Sequence, residues 1–247
     1  MQLLKVTDLI KKYNDRTVVD HVSFNVHEGE IVGLLGRNGA GKTTSFRIAM
    51  GMIRSEGGRV EFSGRDVTAL PMYQRARLGM GYLAQEPSVF QRLSVRDNLI
   101  AILETRRGLT KAKRNERAEA LLEKFGLTHV RKQLARTLSG GERRKLEIAR
   151  ALTTEPTIML LDEPFHGVDP IAIEELQNEV KRLRDTDGIA TLVTDHNERR
   201  ILQMCDRVYV IFEGKVFAEG TPRQIVADDQ VRQLYLGESL KAEDFAG

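Results

Sequence analysis

The chain has 247 residues, 41% of them apolar and 30% charged, with a formal net charge of +3. That is enough chain for one large domain with its own core, in the composition of a globular protein. It has no apolar run near the roughly 18 residues of a membrane span, residues 1–10 lack the apolar stretch of a signal peptide, and one cysteine, Cys205, excludes an internal disulfide and fits a reducing compartment. The mild charge does not mark a nucleic-acid binder.

Residues 2–35 read as short strands joined by turns: 4–6 and 22–26 alternate, and Glu28-Gly29 interrupts before an apolar strand at 31–35. Tyr13 falls between two of these strands. It is either an ordinary half-exposed aromatic or a ring that stacks on a nucleotide base. Gly36, Arg37, Asn38, Gly39, Ala40, Gly41, Lys42 and Thr43 then spell G-x-x-x-x-G-K-[ST], and Thr44 opens a helix that ends at Gly51. Glycines let such a backbone curl so that its N–H groups face phosphate oxygens, and the helix N-terminus adds partial positive charge. Lys42 is placed to reach the β- and γ-phosphates and the Thr43 hydroxyl to ligate Mg²⁺. The rival reading is a glycine-rich turn with a chance lysine; strand before and helix after favour the phosphate loop.

A short strand at 59–62 and a turn at Ser63-Gly64 follow, then a strand at 81–84 that ends at Gln85. A neutral amide at a strand end can ligate Mg²⁺ and sense a γ-phosphate; taken alone it is a surface glutamine. Residues 87–152 change in texture, with helices expected at 99–103, 112–125 and 140–152. Ala118, Leu121, Leu122 and Phe125 share one helical face, and Gly126 suits the position just past its end. The basic run from Arg106 to Arg117 reads as a solvated face. This stretch is expected to be a helical subdomain inserted into the loop-bearing core.

Leu138, Ser139, Gly140, Gly141 and Glu142 contain S-x-x-E, a capping box that starts a helix. Two glycines in its first turn cost about 1 kcal/mol each relative to alanine, and the bare backbone they leave suits a second phosphate site. Residues 158–161 form a continuous apolar run, a buried strand, that ends in Asp162-Glu163. Adjacent carboxylates at a strand end point to opposite sides, so one can hold Mg²⁺ while the other addresses an attacking water. Asp169 caps a helix with Pro170 at its first position, and Ile173, Leu176, Val180 and Leu183 form its buried stripe. Another buried strand at 190–194 leaves His196 two residues past its end, where open α/β sheets bind ligands. His21, His27 and His129 lack such a setting. Residues 207–212 and 215–218 alternate around Glu213-Gly214, a hairpin, and 237–247 read as a frayed tail.

In this order the pieces resemble the nucleotide-binding cassette of ABC ATPases: the loop at 36–43, Gln85, the LSGGE signature at 138–142, the strand ending Asp162-Glu163-Pro164, Asp169 and His196. Within that family, Tyr82-Leu83-Ala84-Gln85-Glu86, Gly167-Val168-Asp169-Pro170, Thr194-Asp195-His196-Asn197 and Leu234-Tyr235-Leu236-Gly237 resemble the ATPase subunits of lipopolysaccharide-export transporters. The resemblance implies an α/β fold: a P-loop NTPase (RecA-like) core with an antiparallel β subdomain (1–86 and 153–236), an inserted α-helical subdomain (87–152) and a tail (237–247).

It also implies a head-to-tail homodimer that binds ATP and Mg²⁺ between one chain's phosphate loop and the other chain's signature. Tyr13 would stack on adenine, and Thr43, Gln85 and Asp162 would manage Mg²⁺. Glu163 would polarise the water and His196 contact the γ-phosphate, while Ser139 and Gly141 bind the opposite γ-phosphate. Integral membrane subunits would dock near Val89, Phe90 and Leu93, and neither cargo nor nucleic acid would touch the chain. It would sit on the cytoplasmic face of the inner membrane. His166 departs from the small residue common three positions before Asp169, in a loop that would face the partner. Alternatives are a branched-chain amino-acid importer ATPase and a soluble ABC ATPase of a cytosolic assembly system; no long heptad insertion supports a coiled-coil DNA-repair ATPase.

Overall fold

The computed structural model describes residues 1–106, 108–237 and 240. It opens with two long antiparallel strands, β1 (Gln2–Tyr13) and β2 (Arg16–His27). The sequence suggested shorter pieces because register shifts along this pair break the two-residue alternation, and Asp8 and His21 take positive φ there. With β4 (Gly57–Phe62) and β5 (Arg65–Asp66) they make a four-stranded antiparallel sheet, ordered β2-β1-β4-β5.

A second sheet holds β3 (Ile31–Leu35), β6 (Met80–Leu83), β7 (Ile158–Asp162), β8 (Ala190–Thr194), β9 (Arg207–Phe212) and β10 (Lys215–Gly220). Its order is β10-β9-β3-β8-β7-β6, parallel except for the β9–β10 hairpin. Both faces are buried, as a parallel sheet requires. Val32, Leu34, Ile158 and Leu160 face a core shared with the first sheet; Ile31, Leu35, Met159 and Leu161 face the helices. Helix α1 (Lys42–Met50) contributes Phe46, Ile48, Ala49 and Met50 to the first of these cores, which fixes the phosphate-loop helix between the two sheets.

Helices α3 (Val95–Leu103), α4 (Lys111–Lys124) and α5 (Gly140–Leu152) pack through Leu99, Leu103, Ala118, Leu122, Leu146 and Ala149 into the second core. Helix α3 starts four residues before the expected Leu99, because the Ser94 side chain caps it by accepting from the Asp97 amide. Helix α6 (Pro170–Asp187) buries Ile173, Leu176, Val180 and Leu183, capped by Asp169 as its sequence indicates. The short helices α2 (Met72–Arg77), α7 (Glu198–Met204) and α8 (Pro222–Ala227) carry too few turns for a legible period. A wide π-type helical turn covers Arg232–Leu236; the tail read at 237–247 lies, apart from Gly237 and Leu240, outside the described residues. No helix among them is long and apolar enough to cross a membrane.

Candidate functional site

The phosphate-loop sequence runs from the end of β3 into α1. Gly36 and Gly41 have φ of 151° and 104°. A Cβ on Gly36 would lie 2.2 Å from the Ile211 carbonyl oxygen, and one on Gly41 2.6 Å from that of Val18, so only glycine fits either position. Gly41 caps α1 without a side-chain hydrogen bond, which leaves the first-turn amides to a ligand. Arg37, Asn38 and Gly39 are exposed, Ala40 is buried, and Thr43 and Thr44 are half-buried. The buried Lys42 ammonium donates to the carbonyls of Gly36 (2.5 Å) and Arg37 (3.1 Å). Burial lowers its pKa, against the upward pull of Glu163, Glu198, Asp162 and Asp195.

Because β3, β6, β7 and β8 run parallel, their carboxyl ends meet at one edge. This edge brings together the loop, Gln85, Asp162, Glu163 and His196. Asp162 is 1% exposed. Its Oδ1 accepts from the Thr194 hydroxyl at 3.1 Å, and its buried Oδ2 has no protein partner. Burial raises its pKa. Asp195 is alike: Oδ1 accepts from the Asn197 amide at 2.8 Å, Oδ2 is buried without a partner, and burial raises its pKa. Glu163 turns the other way, with a φ of 45° that a non-glycine residue rarely holds. Its amide donates to the Thr194 carbonyl at 3.0 Å. Its Oε2 accepts from Gln85 Nε2 at 2.9 Å and lies 3.7 Å from His196 Nδ1.

The Thr43 hydroxyl, the Gln85 amide oxygen and the orphaned Asp162 oxygen are the kind of oxygen donor that a hard cation such as Mg²⁺ takes. Among the described residues no cluster of three or more His, Cys, Asp or Glu forms a protein cage.

The signature lies at the start of α5. Ser139 Oγ accepts from the Glu142 amide at 3.2 Å, and the Ser139 amide donates back to Glu142 Oε2 at 2.9 Å, a complete capping box. Leu138 and Gly141 are buried; Ser139 and Gly140 are exposed. A Cβ on Gly141 would come within 2.8 Å of the Ala172 Cβ, so the glycine is needed for α5 to approach α6. Among the described residues none of the hydrogen bonds or ion pairs of 138–142 reaches 36–44. Asp169 Oδ1 accepts from the Ala172 amide at 3.0 Å, and His166 is exposed with its ring 6.5 Å from that of His196. Tyr13, 48% exposed, ends β1, with Lys11 Nζ 5.4 Å from its ring centre.

Sequence reasoning missed three contacts. Arg144 is buried and ion-paired with buried Glu147 at 2.8 Å. It also donates to the carbonyls of Ala84 (2.8 Å), Pro164 (2.7 Å) and Glu163 (3.3 Å), which ties the signature helix to the chain on both sides of the Gln85–Glu163 pair. In the sequence an Arg and a Glu three apart on a helix look like a surface pair. The Tyr235 hydroxyl is buried near the Gly36 backbone and Glu198, and burial raises its pKa. His129 Nε2 lies 3.3 Å from Glu142 of the signature. Neither of these last two carries a local sequence signal.

Of the three expected docking residues, only Phe90 lines the groove of about 350 Å³ that opens beside α2 and β6, with Met72, Tyr82, Ile102 and Arg150. Val89, at a bend after β6, is instead buried in the core around α3 and α5. Leu93 is not among the groove's lining residues.

The family model described as "ABC transporter" matches residues 19–166. The chain belongs to the ABC transporter ATP-binding family. A second model, of branched-chain amino acid ATP-binding cassette transporters, matches residues 215–240. The lipopolysaccharide export system ATP-binding protein LptB of Haemophilus influenzae is 48% identical over 98% of this chain and 100% of its own length. That of Escherichia coli K12 is 47% identical over the same shares. A probable ABC transporter ATP-binding protein of Azorhizobium caulinodans is 54% identical over 94% of this chain and 82% of its own. Among solved structures, an ATP-binding cassette of an ABC transporter in its ADP conformation superposes with a TM-score of 0.85 at 29% identity, covering 96% of this chain and 100% of that one. As a family member this cassette binds nucleotide and hydrolyses ATP.

Proposed function

We propose that this cassette is the ATPase of a lipopolysaccharide-export transporter, working as a head-to-tail homodimer under integral membrane subunits at the cytoplasmic face of the inner membrane. The observation that carries the reading is identity of nearly half to named lipopolysaccharide-export ATPases along their whole length. The match to branched-chain amino-acid cassettes favours the importer reading, but it covers one short C-terminal segment.

In this reading the amides of 36–43 and Lys42 hold the β- and γ-phosphates, Lys42 exchanging the Gly36 and Arg37 carbonyls for phosphate oxygens. Thr43, Gln85 and Asp162 hold Mg²⁺, which neutralises phosphate charge. Tyr13 stacks on adenine. Gln85 and His196 both address Glu163 Oε2, and Oε1 orients the attacking water. His196 also contacts the γ-phosphate. Phosphoryl transfer needs such in-line positioning and charge neutralisation more than covalent chemistry. Ser139 and Gly141 serve the ATP of the other copy, the start of α5, exposed at Ser139 and Gly140, supplying the missing donors.

The groove at Phe90 receives a short cytoplasmic helix of a membrane subunit, since apolar side chains lining a groove suit an amphipathic helix. Co-purification from detergent-solubilised membranes tests the reading. Wild type should bring down membrane subunits of lipopolysaccharide export. Phe90→Ala should fold, bind ATP as wild type and lose them. Recovery of amino-acid importer subunits, or wild-type yield with Phe90→Ala, contradicts it.

A further inference from the structure

Arg75 is 1% exposed and ranks among the largest fully buried side chains. Its guanidinium makes no ion pair among the described residues. All of its hydrogen bonds go to main-chain carbonyls: Ile48 (2.9 Å) and Ala49 (2.6 Å) at the end of α1, and Thr68 (3.0 Å) and Leu70 (2.9 Å) in the loop that leads into α2. Burial lowers its pKa to about 10. A buried, unpaired guanidinium is expensive. An apolar residue would fill the space at less cost, so the bonds themselves are what the site requires. The site is also shaped for them: a Cβ on Gly51 would fall 2.6 Å from Arg75 Nε. The Met72 amide adds a further tie by donating to the Gly51 carbonyl at 3.2 Å.

The two elements joined here have different outer faces. Helix α2 presents Met72 and Ala76 to the groove at Phe90, and α1 ends there with Met50. The other end of α1 begins with Lys42 and Thr43. Tyr82, also on the groove, packs its ring 6.1 Å from that of Phe46 in α1. A two-and-a-half-turn helix does not shorten along its axis, so displacement at one end appears at the other.

We propose that Arg75 is a positioning residue for ATP hydrolysis: it locks α2, one wall of the groove, to α1, so that the groove's occupant and the phosphates at Lys42 act on one rigid body. The proposal rests on the groove as docking site only for the identity of that occupant. Coupling of two sites is reciprocal, so nucleotide alone must be felt at α2, and no membrane partner is needed for the test.

Amide hydrogen exchange is measured with and without the non-hydrolysable analogue AMP-PNP and Mg²⁺ on wild type, Arg75→Met and Arg75→Lys. In wild type the analogue should slow exchange of residues 72–77 by about threefold or more, together with that of 36–50. Arg75→Met should keep the slowing at 36–43 and lose it at 72–77. Lysine can cap the Ile48 and Ala49 carbonyls but cannot span to Thr68 and Leu70. Arg75→Lys should therefore stay folded, with a lower melting temperature for the two lost bonds, keep the slowing at 36–43 and lose it at 72–77, a split that a purely structural role would not produce. Arg75→Lys also carries the test should Arg75→Met fail to fold. Slowing at 36–43 with none at 72–77 in wild type, or slowing at 72–77 retained in Arg75→Lys, overturns the proposal. Loss of docking is read separately, by co-purification of Phe90→Ala.

Discussion

Along the carboxyl edge of the sheet, Lys42 at the start of α1 and Asp162 and Asp195 at the strand ends are almost excluded from solvent, and two carboxylate oxygens there have no protein partner. At the start of α5, Ser139 and Gly140 are exposed, and the capping box satisfies the Ser139 hydroxyl within its own turn. The first region is costly to bury and fixed in shape by its sheet. The second is a helix start that its own capping box satisfies, and among the described residues none of its hydrogen bonds or ion pairs reaches the phosphate loop. A site whose buried half is rigid and whose other half faces outward suits the head-to-tail dimer proposed above. Arg144 bridges the two, from α5 to the carbonyls of Ala84 and Glu163.

The largest effect is expected at the rigid half. Glu163→Gln keeps the shape and the contact with Gln85 but removes the charge that orients water. Turnover should fall by roughly 100-fold or more, with ATP affinity retained and ATP-bound dimers accumulating; near-normal hydrolysis would remove Glu163 from the role.

Breaking the bridge comes next. Arg144→Ala leaves buried Glu147 unpaired and should cost about 3–5 kcal/mol, read as a lower urea midpoint. Arg144→Met combined with Glu147→Leu should recover most of it. A single variant as stable as wild type would show that the pair is not what joins the halves.

Asp162→Asn sharpens the account of the buried carboxylates. The folded-state pKa of Asp162 is raised by burial, so its ionisation works against folding. That cost is absent below the unfolded carboxylate pKa, grows as pH rises, and is complete above the folded pKa. Without nucleotide, Asp162→Asn should therefore melt above wild type at neutral pH, with the gap closing as pH falls into the carboxylate range. It should also lose the extra stabilisation that Mg²⁺ adds to ATP. A gap that widens on acidification would contradict the assignment.

The smallest effect is expected at His166, 6.5 Å from His196 in the loop before α6. If it meets the partner's nucleotide, removing the ring weakens closure, so the ATP-bound dimer fraction should rise less steeply with ATP concentration in His166→Ala than in wild type. Superimposable curves would leave His166 without a part in closure.

Much of this was legible in the sequence where one residue type has one physical use. The glycines at 36 and 41, the caps Ser139 and Asp169, and the stripe Ile173, Leu176, Val180 and Leu183 all signal locally, and the structure has them as read. Buried polar contacts were not legible. Arg75 and Arg144 look like surface residues on helices until the carbonyls they reach are known, because those carbonyls come from distant segments and main-chain oxygens leave no mark in a sequence. Val89 misled for a related reason: the apolar residues at 89, 90 and 93 form one patch in the sequence, but only Phe90 lines the groove.

The claim that two chains share each site is tested most directly by mixing. Lys42→Ala and Ser139→Ala should each be nearly inactive alone. In a mixed dimer one site carries both lesions and the other carries neither, so ATP hydrolysis should reappear when the two variants are combined, in proportion to the mixed species. Activity that stays at the sum of the separate variants at every ratio, with mixed dimers demonstrably formed, would contradict the account.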